Sequence, residues 1–253
     1  MLNRKSLIFY SRTNHTLNVS CNMTKNNLKF IYFIDLNEPL VCLNLINTNQ
    51  LRSPTLAHYH SYQTEYPLYK INPDDLLTDI NSIQFGFVSP RFQYIVISNW
   101  ATNGLKTGIG TINTKFYSDS DIERIHKIAK LEIEFEKVRR QINSNLPSRL
   151  TCIYVAEDNI DGRNMLRNMF FNRTKFHIAP VVLNSIKSHK ADSKWITDYE
   201  KTNKISSIEK YWKGIDFDNY PQHEYLIDGI VNLEKNEDRE IIKSEFNSEK
   251  YYS

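Results

Sequence analysis

Three short stretches carry side chains whose types and spacing suit chemistry. The first is YPQHEYLIDG, residues 220–229, where Gln222 and Glu224 stand two apart at the mouth of a strand. Residues two apart in a strand share a face at about 7 Å, so this amide and this carboxylate can reach one small ligand. The competing reading makes them solvated residues at a strand edge. The second stretch is LPSRLTCIY, residues 146–154. Ser148 offers a hydroxyl, and Arg149 offers a planar fork of donors suited to phosphate or carboxylate. Thr151 shares the Arg149 face, while Cys152 and Tyr154 face the other way. The competing reading is a core strand with a surface arginine. The third is FYSRTNH, residues 9–15, where an apolar strand runs out into Ser11 and Arg12. That places a hydroxyl and a cation at a sheet end, or marks an ordinary surface terminus.

Taken together, the three stretches resemble the ADP-ribosyltransferase superfamily: an early strand ending in Tyr-Ser-Arg, a middle Pro-Ser-Arg strand with an aromatic, and a late Gln-x-Glu. The segment EFEKVRRQINSNLPSRLTCIYVAED, residues 134–158, followed by YWKG and HEYLIDG, is similar to a group of bacterial members. The resemblance implies a split arrangement of mixed or antiparallel β-sheets with flanking helices, and NAD as co-substrate without a metal. It implies that Glu224 is the catalytic glutamate and that Gln222 orients the acceptor. In relatives, a Gln at that position goes with acceptors other than arginine, including asparagine side chains and nucleic-acid bases. Ser11 and Arg12 compete for the first-strand NAD contact, and Ser148, Thr151 and Tyr154 for the middle-strand roles. Arg12 or Arg149 would pair with the pyrophosphate, and Tyr154 would stack on nicotinamide. Three features depart from the pattern: there is no Ser-Thr-Ser, no His-Gly-Thr follows the first strand, and the 76 residues from Ser148 to Glu224 are more than toxin-like members imply.

Cleaving the nicotinamide–ribose bond builds positive charge on the ribose, as in glycoside cleavage. A fixed carboxylate beside the sugar stabilises charge that appears mainly in the transition state. An amide such as Gln222 both donates and accepts, which suits an acceptor bearing an amide or exocyclic amine. The expected activity is mono-ADP-ribosyl transfer to a macromolecule, with nucleic acid slightly favoured over protein. By analogy the enzyme is an intracellular toxin or defence effector, with an antitoxin or immunity protein as a possible partner. The alternatives are an inactive nucleic-acid- or protein-binding module of the same fold and an unrelated hydrolase.

These residues need elements to hold them. The pattern predicts strands over 6–12, 28–34, 39–46, 92–98, 147–158, 175–183 and 223–233, rich in β-branched and aromatic residues. It predicts a long helix over 119–142, capped by Ser118 or Ser120, with Asp119, Asp121 and Glu123 in the first turn, where the helix dipole favours them. Further helices are expected over 159–171, 192–202, 206–213 and 236–247. In 223–233, alternation directs Tyr225, Ile227, Val231 and Leu233 to the core and Gln222, Glu224 and Leu226 to the other face. Strands without regular helical crossovers exclude a doubly wound parallel sheet. The fold class is α+β, in one domain over 1–253, with 47–118 a variable insertion and 53–73 irregular.

Composition narrows the function classes. The chain has 253 residues, 40% hydrophobic and 24% charged, enough to bury a core. Gly numbers only 7 and no glycine-rich phosphate loop occurs. A net charge of +3 permits a nucleic-acid partner without requiring one. Three scattered cysteines suggest neither disulfide framework nor zinc site, and a cytoplasmic location is expected, with no membrane partner. HYHSY, residues 58–62, pairs two histidines without a third ligand and is expected as an irregular surface loop. His126 is expected to be structural. The alternating charges of 124–140 are expected on a solvated helix face.

Overall fold

The computed structural model describes residues 28–79, 89–104, 118–170 and 173–246. The strand expected over 6–12, with Ser11 and Arg12, lies outside these residues. The architecture is α+β. A five-stranded sheet is built from β1 (Phe30–Asp35), β2 (Gln50–Arg52), β3 (Ile153–Glu157), β4 (Phe176–Asp192) and β5 (His223–Leu233). The pairings among these strands are antiparallel, in the order β2-β5-β3-β1-β4, and β4 also pairs with β5. The β1–β3, β3–β5, β5–β4 and β4–β1 ladders therefore close into a ring. The 17-residue β4 makes this possible by pairing with β1 through its first third and with β5 through the remainder, over an irregularity at Ser185/Lys187.

Helices surround the sheet: α1 (Pro39–Thr48), α2 (Pro54–Tyr62), α3 (Asp75–Thr78), α4 (Pro90–Thr102), α5 (Asp119–Asn143), α6 (Ile160–Met169), α7 (Lys194–Thr202), α8 (Ile205–Trp212) and α9 (Asn236–Glu245). The long helix follows the sequence reading closely. Ser118 caps it, accepting from Asp121 N, while the Asp121 carboxylate accepts from Ser118 N at 3.2 Å. The strand β5 and the helix α9 after it also fall where the sequence pattern puts them.

Other expectations are corrected. Residues 39–46 and 92–98, expected as strands, form α1 and α4. Both helices begin with a proline at the first position, where the missing N–H costs nothing, and Ser89 caps α4 by accepting from Phe92 N at 3.1 Å. Start signals thus outweighed β-branched composition. Region 53–73 contains α2 and a 3-10 turn over Pro67–Lys70 rather than irregular chain, and HYHSY is helical. The strand expected from 147 begins only at Ile153, with the Pro-Ser-Arg stretch forming a turn before it. β4 continues nine residues beyond its expected end, because NSIKSHKAD is too polar to read as a strand.

Buried side chains pack on both faces of β5. Tyr225, Ile227, Val231 and Leu233 join Phe30, Val155, Cys42 and Ile242 on one face, as alternation requires. On the other face Leu226 packs with Phe135 of α5 and with Trp195, Tyr211 and Trp212 of α7 and α8. Within the described part of 47–118, β2 pairs with β5, and the rest packs onto α5, where Tyr66, Leu76, Phe92 and Ile95 meet Ala129 and Ile133.

Gly229 is where β5 has no room for a side chain. A Cβ there would lie 2.3 Å from Asn184 O and 2.8 Å from Ser185 Cα, both backbone atoms of β4. Gly229→Ala is therefore expected to cost about 1–3 kcal/mol of stability through overpacking, measured by urea denaturation. An unchanged midpoint would mean that the strands relax freely at this crossing.

Candidate functional site

The site grows from two glutamates one turn apart on α5. Side chains at i and i+4 share a helix face, and Glu132 and Glu136 direct that face toward the turn before β3. Arg149 from that turn meets Glu132 bidentately, Nε to Oε2 at 2.9 Å and Nη2 to Oε1 at 3.0 Å. Ser148 donates to Glu136 Oε2 at 2.7 Å. Arg139 and Arg140 also donate to Glu136, at 2.7–2.9 Å. Glu132, Glu136 and Arg139 are buried, which corrects the solvated-face reading for these residues, while Arg124, Lys127 and Lys130 are exposed as expected: the carboxylates stay inside because arginines neutralise them.

Arg149 then crosses to β5. Its Nη1 donates to Glu224 Oε1 at 2.7 Å and to the Tyr211 hydroxyl at 2.7 Å, and that hydroxyl donates to the same carboxylate oxygen. Arg91 of α4 closes the other end, donating to Glu132 Oε1 at 2.6 Å and stacking over the Tyr154 ring at 4.4 Å. Glu224 is 0% exposed and Arg149 1%. The second carboxylate oxygen of Glu224, Oε2, is buried with no hydrogen-bond partner among the described residues. Burial pushes the Glu132 carboxyl up, but Arg149 and Arg91 outweigh it and hold it down at about 2. Burial likewise pushes the Glu136 carboxyl up, but Arg139 and Arg140 outweigh it and leave the group below its ordinary range.

The sequence-predicted residues divide accordingly. Glu224, Arg149, Ser148 and Tyr154 come together in this cluster, Tyr154 donating to Arg149 O at 2.9 Å. Thr151 is buried and shares a hydrogen bond with the Tyr69 hydroxyl at 3.1 Å. Gln222 stands outside β5 with an exposed side chain, while its backbone is tied to Asp192 Oδ1 and Ser193 N at 3.0 and 2.9 Å. Arg149 is corrected in role: its guanidinium is consumed by Glu132, Glu224 and Tyr211, so it is an internal hub and no surface arginine. Ser11 and Arg12 lie outside the described residues.

Other residues were not legible as site residues. Glu132 sits within an ordinary charge pattern and Arg91 stands alone in an uncharged stretch, and only the i, i+4 spacing of Glu132 and Glu136 marks a common face. Asp228 lies on the same β5 face as Glu224. It floors a cleft of about 850 Å³ walled by α2, the 3-10 turn, the end of α5 and β4. Ser53 donates to its Oδ1 at 2.5 Å. Burial raises the Asp228 carboxyl, against the Ser53 bond and the nearby Lys187. Of the two HYHSY histidines, His58 is buried in α2 and bonds Thr64 at 3.1 Å. His126 bonds Ser98 at 2.6 Å, the structural role expected of it. Among the described residues, no group of three or more His, Cys, Asp or Glu is placed to hold a metal, and no helix is long and apolar enough to cross a membrane.

An α+β protein with a closed ring of antiparallel ladders and a buried arginine–glutamate cluster is what these residues define. The chain belongs to the family described as "Protein of unknown function (DUF2441)", which matches residues 31–244. That span contains Glu132, Arg149, Glu224 and Asp228. No curated protein matches the chain.

The cluster sets an acid limit on stability. A carboxyl held near 2 in the fold and near 4.5 unfolded contributes stability that is complete above the unfolded value and is lost as pH falls between the two. Glu132→Gln is expected to flatten that acid slope and to cost on the order of 3 kcal/mol at neutral pH, because it strands Arg149 and Arg91. Denaturant titrations of both proteins across this interval measure it. Parallel pH profiles would remove Glu132 as the source.

Proposed function

We propose that the protein is a mono-ADP-ribosyltransferase that takes NAD as co-substrate and modifies a macromolecule. The observation that carries this reading is the unpartnered Oε2 of Glu224. A buried carboxylate oxygen without a hydrogen bond costs free energy that native structures rarely leave uncompensated. In this reading that oxygen receives the ribose 2′-hydroxyl and stabilises the oxocarbenium-like transition state, while Arg149 and Tyr211 fix the other oxygen. Pyrophosphate pairing falls to Arg12, because Arg149 is committed inside the cluster. Tyr154 borders the nicotinamide side.

Gln222 supports the acceptor assignment. Its backbone is pinned and its side chain is exposed and makes no hydrogen bond among the described residues, so the amide is free to orient an incoming amine or amide. With mild basicity and many aromatics able to stack on bases, a nucleic-acid base is favoured over a protein side chain. The α+β architecture and the antiparallel pairing of its strands support an ADP-ribosyltransferase-like fold. The enzyme would act in the cytoplasm as a toxin or defence effector, restrained by an antitoxin or immunity protein.

A second reading rests on a different observation. Glu224 has no exposed surface, and each of its bonded partners lies inside the protein. In that reading the cluster is only a structural pin and the protein binds nucleic acid or protein without turnover.

Labelled NAD incubated with the protein and cell extract separates the two. Wild type is expected to consume NAD, and Glu224→Gln to slow this at least about 100-fold, the scale of losing transition-state electrostatics, with circular dichroism confirming its fold. Gln222→Ala, at an exposed site, is expected to reduce labelling of extract while sparing NAD cleavage. Nuclease or protease digestion of labelled extract identifies the acceptor. NAD consumption that is absent in wild type, or unchanged in a folded Glu224→Gln, rejects the transferase and leaves the binding module.

A further inference from the structure

The cleft floored by Asp228 is built differently from the Glu224 cluster, and nothing in the proposed chemistry uses it. Glu224, Leu226 and Asp228 alternate onto one face of β5, so the two carboxylates stand roughly 13 Å apart along the strand. Asp228 is 4% exposed. Its Oδ1 accepts from Ser53, whose hydroxyl in turn accepts from Gly229 N and Leu56 N, so the carboxylate is fixed by the cap of α2. Its Oδ2 has no hydrogen-bond partner among the described residues, and it borders the cleft rather than being sealed from it.

Lys187 stands opposite Asp228 in the β4–β5 register. It lies near enough to bias that carboxyl, yet it forms no ion pair with it or with another described residue. The two charges thus line one cleft without forming an ion pair. Tyrosines line it too, together with Arg139 and Arg140. Tyr69 is pinned by Thr55 and Thr151, each at 3.1 Å, and Tyr59 is 41% exposed at the edge. The complementary ligand has a donor for Asp228, a flat face for the tyrosines and an anion for Lys187. A cleft of about 850 Å³ is of the size that encloses a small-molecule ligand.

We propose that this cleft is a binding site for an adenine nucleotide, its exocyclic amine on Asp228, its ring against Tyr59 and Tyr69, and its phosphate on Lys187. The site stands whether or not Glu224 is catalytic. The same chemistry comes from a free mononucleotide or from the adenylate half of a dinucleotide.

Calorimetric titration of the full chain with AMP, adenosine and NAD tests it. AMP is expected to bind wild type. Asp228→Asn is expected to weaken AMP and adenosine alike by at least about 10-fold, since it presents an NH₂ or a weaker acceptor to the amine. Lys187→Gln, on a strand surface, is expected to weaken AMP several-fold and leave adenosine unchanged. Glu224→Gln is expected to retain AMP binding, which separates failure here from failure of the transferase reading. Displacement of AMP by NAD assigns the site to the dinucleotide, and absence of displacement assigns it to the free nucleotide. No AMP binding to wild type, or AMP binding equal in wild type, Asp228→Asn and Lys187→Gln, overturns the proposal.

Discussion

Arg149 lies sealed between two carboxylates, and much of the described structure is organised around keeping it there. A guanidinium taken out of water is tolerated only when its charge and its N–H groups are matched inside the protein. Glu132 matches one edge of the fork and Glu224 the other, with Tyr211 bridging. The pair therefore requires α5, the turn before β3, the start of β5 and α8 to be in place together. Arg91 extends the requirement to α4. Moving any one of these elements strands a charge in the interior, so the cluster makes their packing interdependent.

A second tie runs one turn along the same helix. Glu136 collects Arg139, Arg140 and Ser148, and the two arginines also satisfy backbone carbonyls at Leu68, Ile71, Ser144 and Leu146. A guanidinium serves several acceptors at once. The loop after α5 and the 3-10 turn over Pro67–Lys70 are thus tied to α5 by side chains in addition to their own backbone turn bonds.

β5 inherits its character from being covered on both faces. An antiparallel strand with one solvated face would alternate apolar and polar. Here the second face is covered by α5, α7 and α8 around Leu226 and bordered by α2 and the 3-10 turn around Asp228, so Glu224 and Asp228 have little exposure. Their surroundings then separate them. Glu224 is enclosed by an arginine and a tyrosine, while Asp228 opens on a cleft with an unpaired lysine opposite. One strand face carries two carboxylates in two electrostatic settings.

Local sequence determined the elements whose signals are local. The capping box at Ser118 and Asp121, the apolar period of α5, and the alternation of Tyr225, Ile227, Val231 and Leu233 all act over a few residues, and they place α5 and β5 correctly. The resemblance that singled out Ser148, Arg149, Tyr154 and Glu224 also selected residues that meet in space. Composition misled where a cap competes with β-branched residues, as at Ser89 and Pro90 before α4, and where long-range pairing rescues a polar stretch, as in the second half of β4. Burial of Glu132 and Arg149 was decided only by tertiary structure. A charge run of alternating sign reads as a solvated face until a partner from far along the chain arrives to neutralise it. Asp228 is the same case. Its neighbours in sequence are ordinary, and only the crossing of β4 and the cap of α2 turn it into the floor of a cleft.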